Sequence, residues 1–188
     1  MALMSLNKDH QQRLLDLARS SIQHGLQTGR PLTVDLSEYP AELTERRATF
    51  VTLQKHRQLR GCIGMLEAVR PLAEDIAENA FLAAFKDPRF PPLADDEFGE
   101  LDIHLSILTP AEPVVFTSEQ DLIAQLQPGI DGLILEEGRR RGTFLPSVWE
   151  QLPEPEQFLR HLKQKAGLAP EYWSETIRIY RYRTEMIA

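Results

Sequence analysis

Apolar residues return at helical spacing near the start of the chain, where Leu14, Leu17, Ala18 and Ile22 fall on one side of a segment from about Leu6 to Gly25. Positions three and four apart share a helix face, so the pattern predicts an amphipathic helix with Asn7 or Asp9 as cap and Gly25 as stop. A second stripe, Leu72, Ile76, Ala80 and Ala84, follows Pro71; a third, Phe158, Leu159, Leu162 and Ala166, runs from Pro155 and stops at Gly167. Proline suits the first turn of a helix and glycine the position past its end, so both segments read as helices. A shorter helix follows Thr117 and Ser118 and ends at Pro128-Gly129.

Elsewhere the period is two. Leu101, Ile103, Leu105 and Ile107 alternate with Asp102, His104 and Ser106, which predicts a strand with one buried face and His104 on the other. Thr49 to Gln54 and Leu59 to Gly64 flank a polar turn and read as a hairpin. Gly132 to Glu136 and Gly142 to Leu145 form a second hairpin with Arg139, Arg140 and Arg141 at its tip, and Thr176 to Thr184 reads as one final strand. Gly29 to Arg46 is a long polar connection. Asp87 to Leu93 (DPRFPPL) holds three prolines and is expected to be a rigid loop that turns Phe90 inward and holds Arg89 near the first hairpin. Hairpins and helices mixed without a regular strand-helix-strand period predict an α+β fold, a largely antiparallel sheet flanked by helices. At 188 residues the chain fits a single domain, 1-188.

Composition narrows the partners. A net charge of -7 lacks the positive field that gathers nucleic acid, so nucleic acid is disfavoured. No long apolar run or secretory leader is evident, and the single cysteine, Cys62, can form no internal disulfide. A cytoplasmic, reducing compartment is expected, with no membrane association.

The candidate chemistry centres on Leu59-Arg60-Gly61-Cys62-Ile63-Gly64. Regular alternation sends Leu59 and Ile63 to the core and Arg60 with Cys62 to the other face, where a guanidinium favours the thiolate and Gly61 and Gly64 leave space beside it. Cys62 is thus a candidate nucleophile with Arg60 beside it. The plainer reading makes Cys62 a small buried apolar residue and the glycines sites of close backbone approach. A cysteine nucleophile needs a base, and His104 and His56 are the candidates, each equally readable as an exposed polar side chain. Glu74, Asp75 and Glu78 lie on a helix without His-x-x-x-His, paired cysteines or an Asp-rich loop, so no metal site is expected. No Gly-rich phosphate loop or dinucleotide fingerprint is present, and the cofactor, if any, is unknown.

Several motifs together resemble the AMMECR-one domain family, whose bacterial members are called AmmeMemoRadiSam system protein A. They are Leu59 to Gly64 (LRGCIG), Glu78-Asn79-Ala80 with Ala83-Ala84, Asp87 to Leu93, Asp131 to Leu135 (DGLIL) and Thr143 to Gln151 (TFLPSVWEQ). Phe158-Leu159, Lys165 to Leu168 and Trp173 fit as well, so the likeness spans about Phe50 to Tyr182. Met65 stands where the family commonly has Thr, and Ser147 where Gln is common. The resemblance implies two unequal lobes with a groove between them, the larger built from the N- and C-terminal parts, the smaller from the middle. It also implies a shared pathway with a Memo-like protein and a radical-SAM enzyme, and it supplies no reaction.

The sequence therefore supports a ligand-binding or thiol-dependent catalytic groove around Arg60 and Cys62, with Gly61, Gly64, Asn79, Arg89 and Thr143 as binding neighbours. The rival readings are a non-catalytic adaptor domain and a nucleic-acid-linked regulator.

Overall fold

The structure, a computed structural model, describes residues 5–188. In chain order it holds α1 (Lys8–Thr28), α2 (Ala41–Thr44), β1 (Thr49–Lys55), β2 (Gln58–Gly64), α3 (Leu72–Phe85), β3 (Leu101–Leu108) and β4 (Glu112–Pro113). Then come α4 (Glu119–Gln125), β5 (Gly132–Glu137), β6 (Arg140–Phe144), α5 (Pro155–Lys165), β7 (Arg178–Tyr182) and β8 (Thr184–Ile187). The fold is α+β. Its strands form two four-stranded sheets rather than one, in orders β2-β1-β3-β8 and β4-β7-β5-β6. The chain divides into two compact units, Met1–Thr109 with Glu185–Ala188, and Pro110–Thr184. No helix among the described residues is long and apolar enough to cross a membrane.

In the first unit α1 and α3 cover one face of the sheet. Leu14, Ala18 and Ile22 from α1 and Ile76, Ala80 and Ala84 from α3 share a core with Val51, Leu53, Ile103, Leu105 and Ile107. These strand positions alternate with Phe50, Thr52, Gln54, Asp102, His104 and Ser106, which belong to the opposite, outer face. Asn7 caps α1 by accepting the His10 N–H at 2.8 Å. The helix ends later than its sequence implied. Gly25 is buried within it against Phe81 and Phe85, and Gly29, at φ 73°, makes the left-handed stop. The long connection after Gly29 is not wholly irregular, because α2 drops Leu43 into the core.

In the second unit α4 and α5 pack against the sheet through Leu122, Phe158 and Leu162, with Leu133, Leu135 and Ile179 from the strands. Trp149 stacks on Phe158 with centroids 3.7 Å apart. The single final strand expected from Thr176 to Thr184 is in fact two, because the chain leaves the second sheet after Tyr182 and β8 joins the first. Residues suited to strands lie on both sides of Arg183, so nothing in their pattern marks the crossing.

Candidate functional site

The β1–β2 turn is made by His56 and Arg57, both at positive φ (51° and 65°), the twist that a two-residue hairpin connection demands. From this turn Lys55 pairs with Gln58 and Gln54 with Leu59, but Leu53 then pairs with Gly61. Arg60 is an extra residue, a β-bulge, and alternation shifts by one as the strand passes it. This corrects half of the expected pattern. Leu59, expected in the core, is 43% exposed, and Arg60, expected outside, is 7% exposed. Beyond the bulge Ile63 pairs with Val51 on the helix-covered face, and Cys62 pairs with Thr52 on the outer face.

The Arg60 side chain is absorbed by its surroundings. Its Nε and Nη2 form a two-pronged pair with Glu97, at 3.0 Å to each carboxylate oxygen, and Nη2 also donates to the Pro91 carbonyl at 2.9 Å. This fork geometry is the strongest form of a guanidinium–carboxylate pair. Hydrogen bonds from Arg60, joined by the Ala94 N–H, lower the Glu97 carboxyl from an ordinary 4.5 to about 2. Arg60 therefore ties β2 to the segment that leads into β3. The electrostatic neighbour of Cys62 is a different arginine.

Strand β2 lies at a sheet edge, where backbone groups on one side lack a strand partner. The proline-rich loop supplies one. Asp87 Oδ2 accepts the Cys62 N–H at 3.0 Å, and Arg89 Nη2 approaches the Cys62 carbonyl at 3.5 Å. Arg89 also grips Asp87 through Nε at 3.0 Å and Nη2 at 2.7 Å. The Arg89 side chain, with help from the Cys62 and Arg89 N–H groups, holds the Asp87 carboxyl well below the usual carboxylate range. In return, hydrogen bonding to Asp87 raises the Arg89 value. Asp87-Pro-Arg thus acts as a one-residue substitute for a neighbouring strand. Phe90 is only partly buried and lies between two guanidinium groups, Arg60 at 5.8 Å and Arg89 at 5.6 Å from its ring centre. The core anchor of the loop is Leu93 instead.

The thiol is half-buried on the outer face, with Sγ 3.3 Å from Thr52 Oγ1. Because the Cys62 N–H points away from β1 to Asp87, the Thr52–Cys62 pair is the non-hydrogen-bonded type, in which side chains come closest. Gly61 sits on the other face, and a Cβ there would stand 2.1 Å from the Ala83 carbonyl oxygen, so its bareness lets α3 lie on the strand. Gly64 is closed in by the Thr49 carbonyl and the Phe50 ring, at 2.3 and 2.4 Å from a notional Cβ. Neither glycine needs a ligand to explain it.

The remaining predicted residues are dispersed. His104 pairs across β3 with Thr52, so Thr52 stands between it and Cys62 and the imidazole makes no hydrogen bond with the thiol. Asn79 is buried on the helix-covered side, where its Nδ2 donates to Thr49 Oγ1 at 2.9 Å and to Asp75 Oδ2 at 3.1 Å, while its Oδ1 accepts from Arg70 at 3.3 Å. It clamps α3 to the start of β1. Thr143 belongs to the second unit, where its hydroxyl donates to the Leu133 carbonyl at 2.8 Å and lies 3.2 Å from the Tyr182 hydroxyl. Burial pushes Tyr182 up to about 12. Among the described residues no group of three His, Cys, Asp or Glu is placed to hold a metal ion.

Sequence reasoning passed over Thr52, Asp87 and Glu97. Thr52 was hidden by the bulge, since regular counting from the turn pairs it with Gly61. Asp87 carried one usable signal: a carboxylate locked before proline, two residues from an arginine, is set up to meet an exposed N–H. Nothing local marks Glu97, which lies 37 residues from Arg60.

Comparison with known proteins agrees with this architecture. A protein of Methanothermobacter thermautotrophicus is 37% identical over 188 residues, covering 99% of this chain and 97% of that relative. One from Thermotoga maritima is 42% identical over 167 residues, covering 87% and 90%. The crystal structure of an uncharacterised protein from Pyrococcus horikoshii superposes with a TM-score of 0.87 at 34% identity, covering 96% of this chain and 92% of that one. The AMMECR1 family profile matches residues 15–187, and the chain belongs to the AMMECR1 family.

Proposed function

We propose that the outer face of the first sheet is a thiol site, at which Cys62 reacts with or covalently captures a small molecule or a protein partner. The observation that supports this reading is the fixed, half-exposed Cys62 side chain, 3.3 Å from the Thr52 hydroxyl, on a strand whose own backbone is pinned by Asp87 and Arg89. A cysteine that served only as packing would need no such bracing, and helix-covered Ile63, its neighbour, already fills the core position. Thr52 can exchange a hydrogen bond with the thiol, and Arg89 places a cation at the same strand residue. Iodoacetamide at neutral pH tests the proposal. Cys62 is expected to be alkylated faster in the folded protein than in urea, and Arg89→Met to slow that reaction. Protection of the thiol by folding would remove the nucleophile and leave this face as a docking surface for a protein partner.

A further inference from the structure

The outer face of the first sheet carries a cross-strand row that runs three strands deep from the thiol. Cys62 of β2 pairs with Thr52 of β1, and Thr52 pairs in turn with His104 of β3. Residues directly opposite each other in antiparallel strands send their side chains to the same face, with Cβ atoms about 5 Å apart. Thiol, hydroxyl and imidazole therefore stand in line on one face.

Hydrogen bonding within this row stops half-way. Thr52 Oγ1 lies 3.3 Å from Cys62 Sγ. A hydroxyl has one proton and two lone pairs, so the contact with the thiol leaves it capacity for another partner. Among the described residues Thr52 Oγ1 has no second partner, and neither ring nitrogen of half-buried His104 has any. The two unused capacities are cross-strand neighbours, and rotation of the His104 side chain can bring a ring nitrogen within hydrogen-bond reach of Oγ1. The carboxylate bonded to Cys62 is a poorer base. Asp87 accepts the Cys62 N–H, but Arg89 holds its carboxyl well below the usual carboxylate range, and a carboxylate so stabilised is a weak proton acceptor.

We propose that His104 receives the Cys62 proton through the Thr52 hydroxyl, so that the row works as a proton relay behind the thiol. The relay rests on the thiol reaction proposed above. Sγ–H passes its proton to Thr52 Oγ1 as the Thr52 O–H proton passes to a ring nitrogen of His104. An S–H and an O–H bond break, an O–H and an N–H bond form, and the products are a thiolate and an imidazolium. The thiolate sulfur then attacks the electrophile; with iodoacetamide a C–S bond forms at the methylene carbon and iodide leaves with the C–I electron pair. Imidazole is the side chain that changes charge near neutral pH. The charged groups around this one are Asp102, two residues along the same face of β3, and Asp16 and Arg19 of α1, which line the same groove as His104. Carboxylates and guanidinium groups ordinarily titrate outside pH 6 to 8, so a step in that interval reports on the row.

The rate of Cys62 alkylation by iodoacetamide in the full chain, followed from pH 8 down to pH 6, tests the relay. The rate of the unsubstituted protein is expected to vary by less than about threefold, because the thiol proton goes to His104 and not to solvent. In His104→Gln and Thr52→Val it is expected to fall about tenfold for each pH unit, as for an ordinary thiol, and to be about tenfold or more lower at pH 6. Thr52→Ser keeps the hydroxyl and is expected to keep the original profile, with circular dichroism reporting that each variant is folded. An ordinary-thiol profile in the unsubstituted protein, an unchanged profile in folded His104→Gln or Thr52→Val, or a Thr52→Ser as slow as Thr52→Val would overturn the relay and leave the thiol reaction standing. Alkylation of the unsubstituted protein slower when folded than in urea would remove the thiol reaction and the relay with it.

Discussion

At the β2 edge, Arg60, Asp87, Arg89 and Glu97 each meet an opposite charge, and all four also bond backbone groups. On the outer face of β3, by contrast, Asp102 and His104 have no hydrogen-bonding partner among the described residues. Three of the first set lie in the segments that look most like a catalytic motif, and the second lies in a strand that looks like ordinary surface. The difference teaches that a motif rich in charge can be a device for closing a sheet edge. There the charges pin the strand that carries Cys62 beside Thr52.

The largest test of this contrast is Arg60→Met. The substitution keeps most of the apolar stem but leaves the Glu97 carboxylate, 19% exposed, with the Ala94 N–H and a distant Lys55 as partners. Removing one member of a mostly buried pair strands the other, so urea unfolding is expected to show a loss of about 3 kcal/mol. A loss under about 1 kcal/mol would place the pair among surface ion pairs and dissolve the distinction drawn here.

Acid should reveal the same bonds more gently. The Glu97 value is lower in the folded protein than its ordinary 4.5, so the ionised form is favoured by folding. Its contribution is complete above about pH 5 and is lost as pH falls from 4.5 toward about 2. Asp87, also held below its ordinary range, adds to the loss at the acid end. The melting temperature should fall over that interval, and Glu97→Gln should flatten the fall. An unchanged acid slope in the variant would mean that the Arg60 pair makes no net contribution.

How much of this the chain announces depends on the range of the interaction. α1, α3 and α5 follow from apolar stripes, and β3 from strict alternation, because each buries one face and periodicity records which. Both hairpins are equally visible. The bulge at Arg60 is not, since one inserted residue leaves composition unchanged while inverting Leu59 and Arg60. For the same reason the outward placement of Cys62 was readable from Ile63, its apolar neighbour, whereas the partner of the thiol was not. Asn79 shows the opposite failure. A polar residue in a motif invites a binding role, yet Thr49, Asp75 and Arg70, brought in from other elements, use its bonding capacity inside the core.

The smallest expected effect is the sharpest complement to Arg60. Asp102 is exposed, and neither it nor half-buried His104 satisfies another group among the described residues, so replacing either strands no described partner. Asp102→Asn and His104→Gln preserve side-chain size closely and should change unfolding free energy by no more than about 0.5 kcal/mol, the ordinary range for surface substitutions. A loss above about 1 kcal/mol in either variant would mean that these side chains hold β3 in place, and the contrast between the two regions would fail. Unchanged stability would separate the polar groups of these side chains from folding. Arg60 cannot offer that separation, because its bonds to Glu97 and Pro91 make any change there a change in the fold itself.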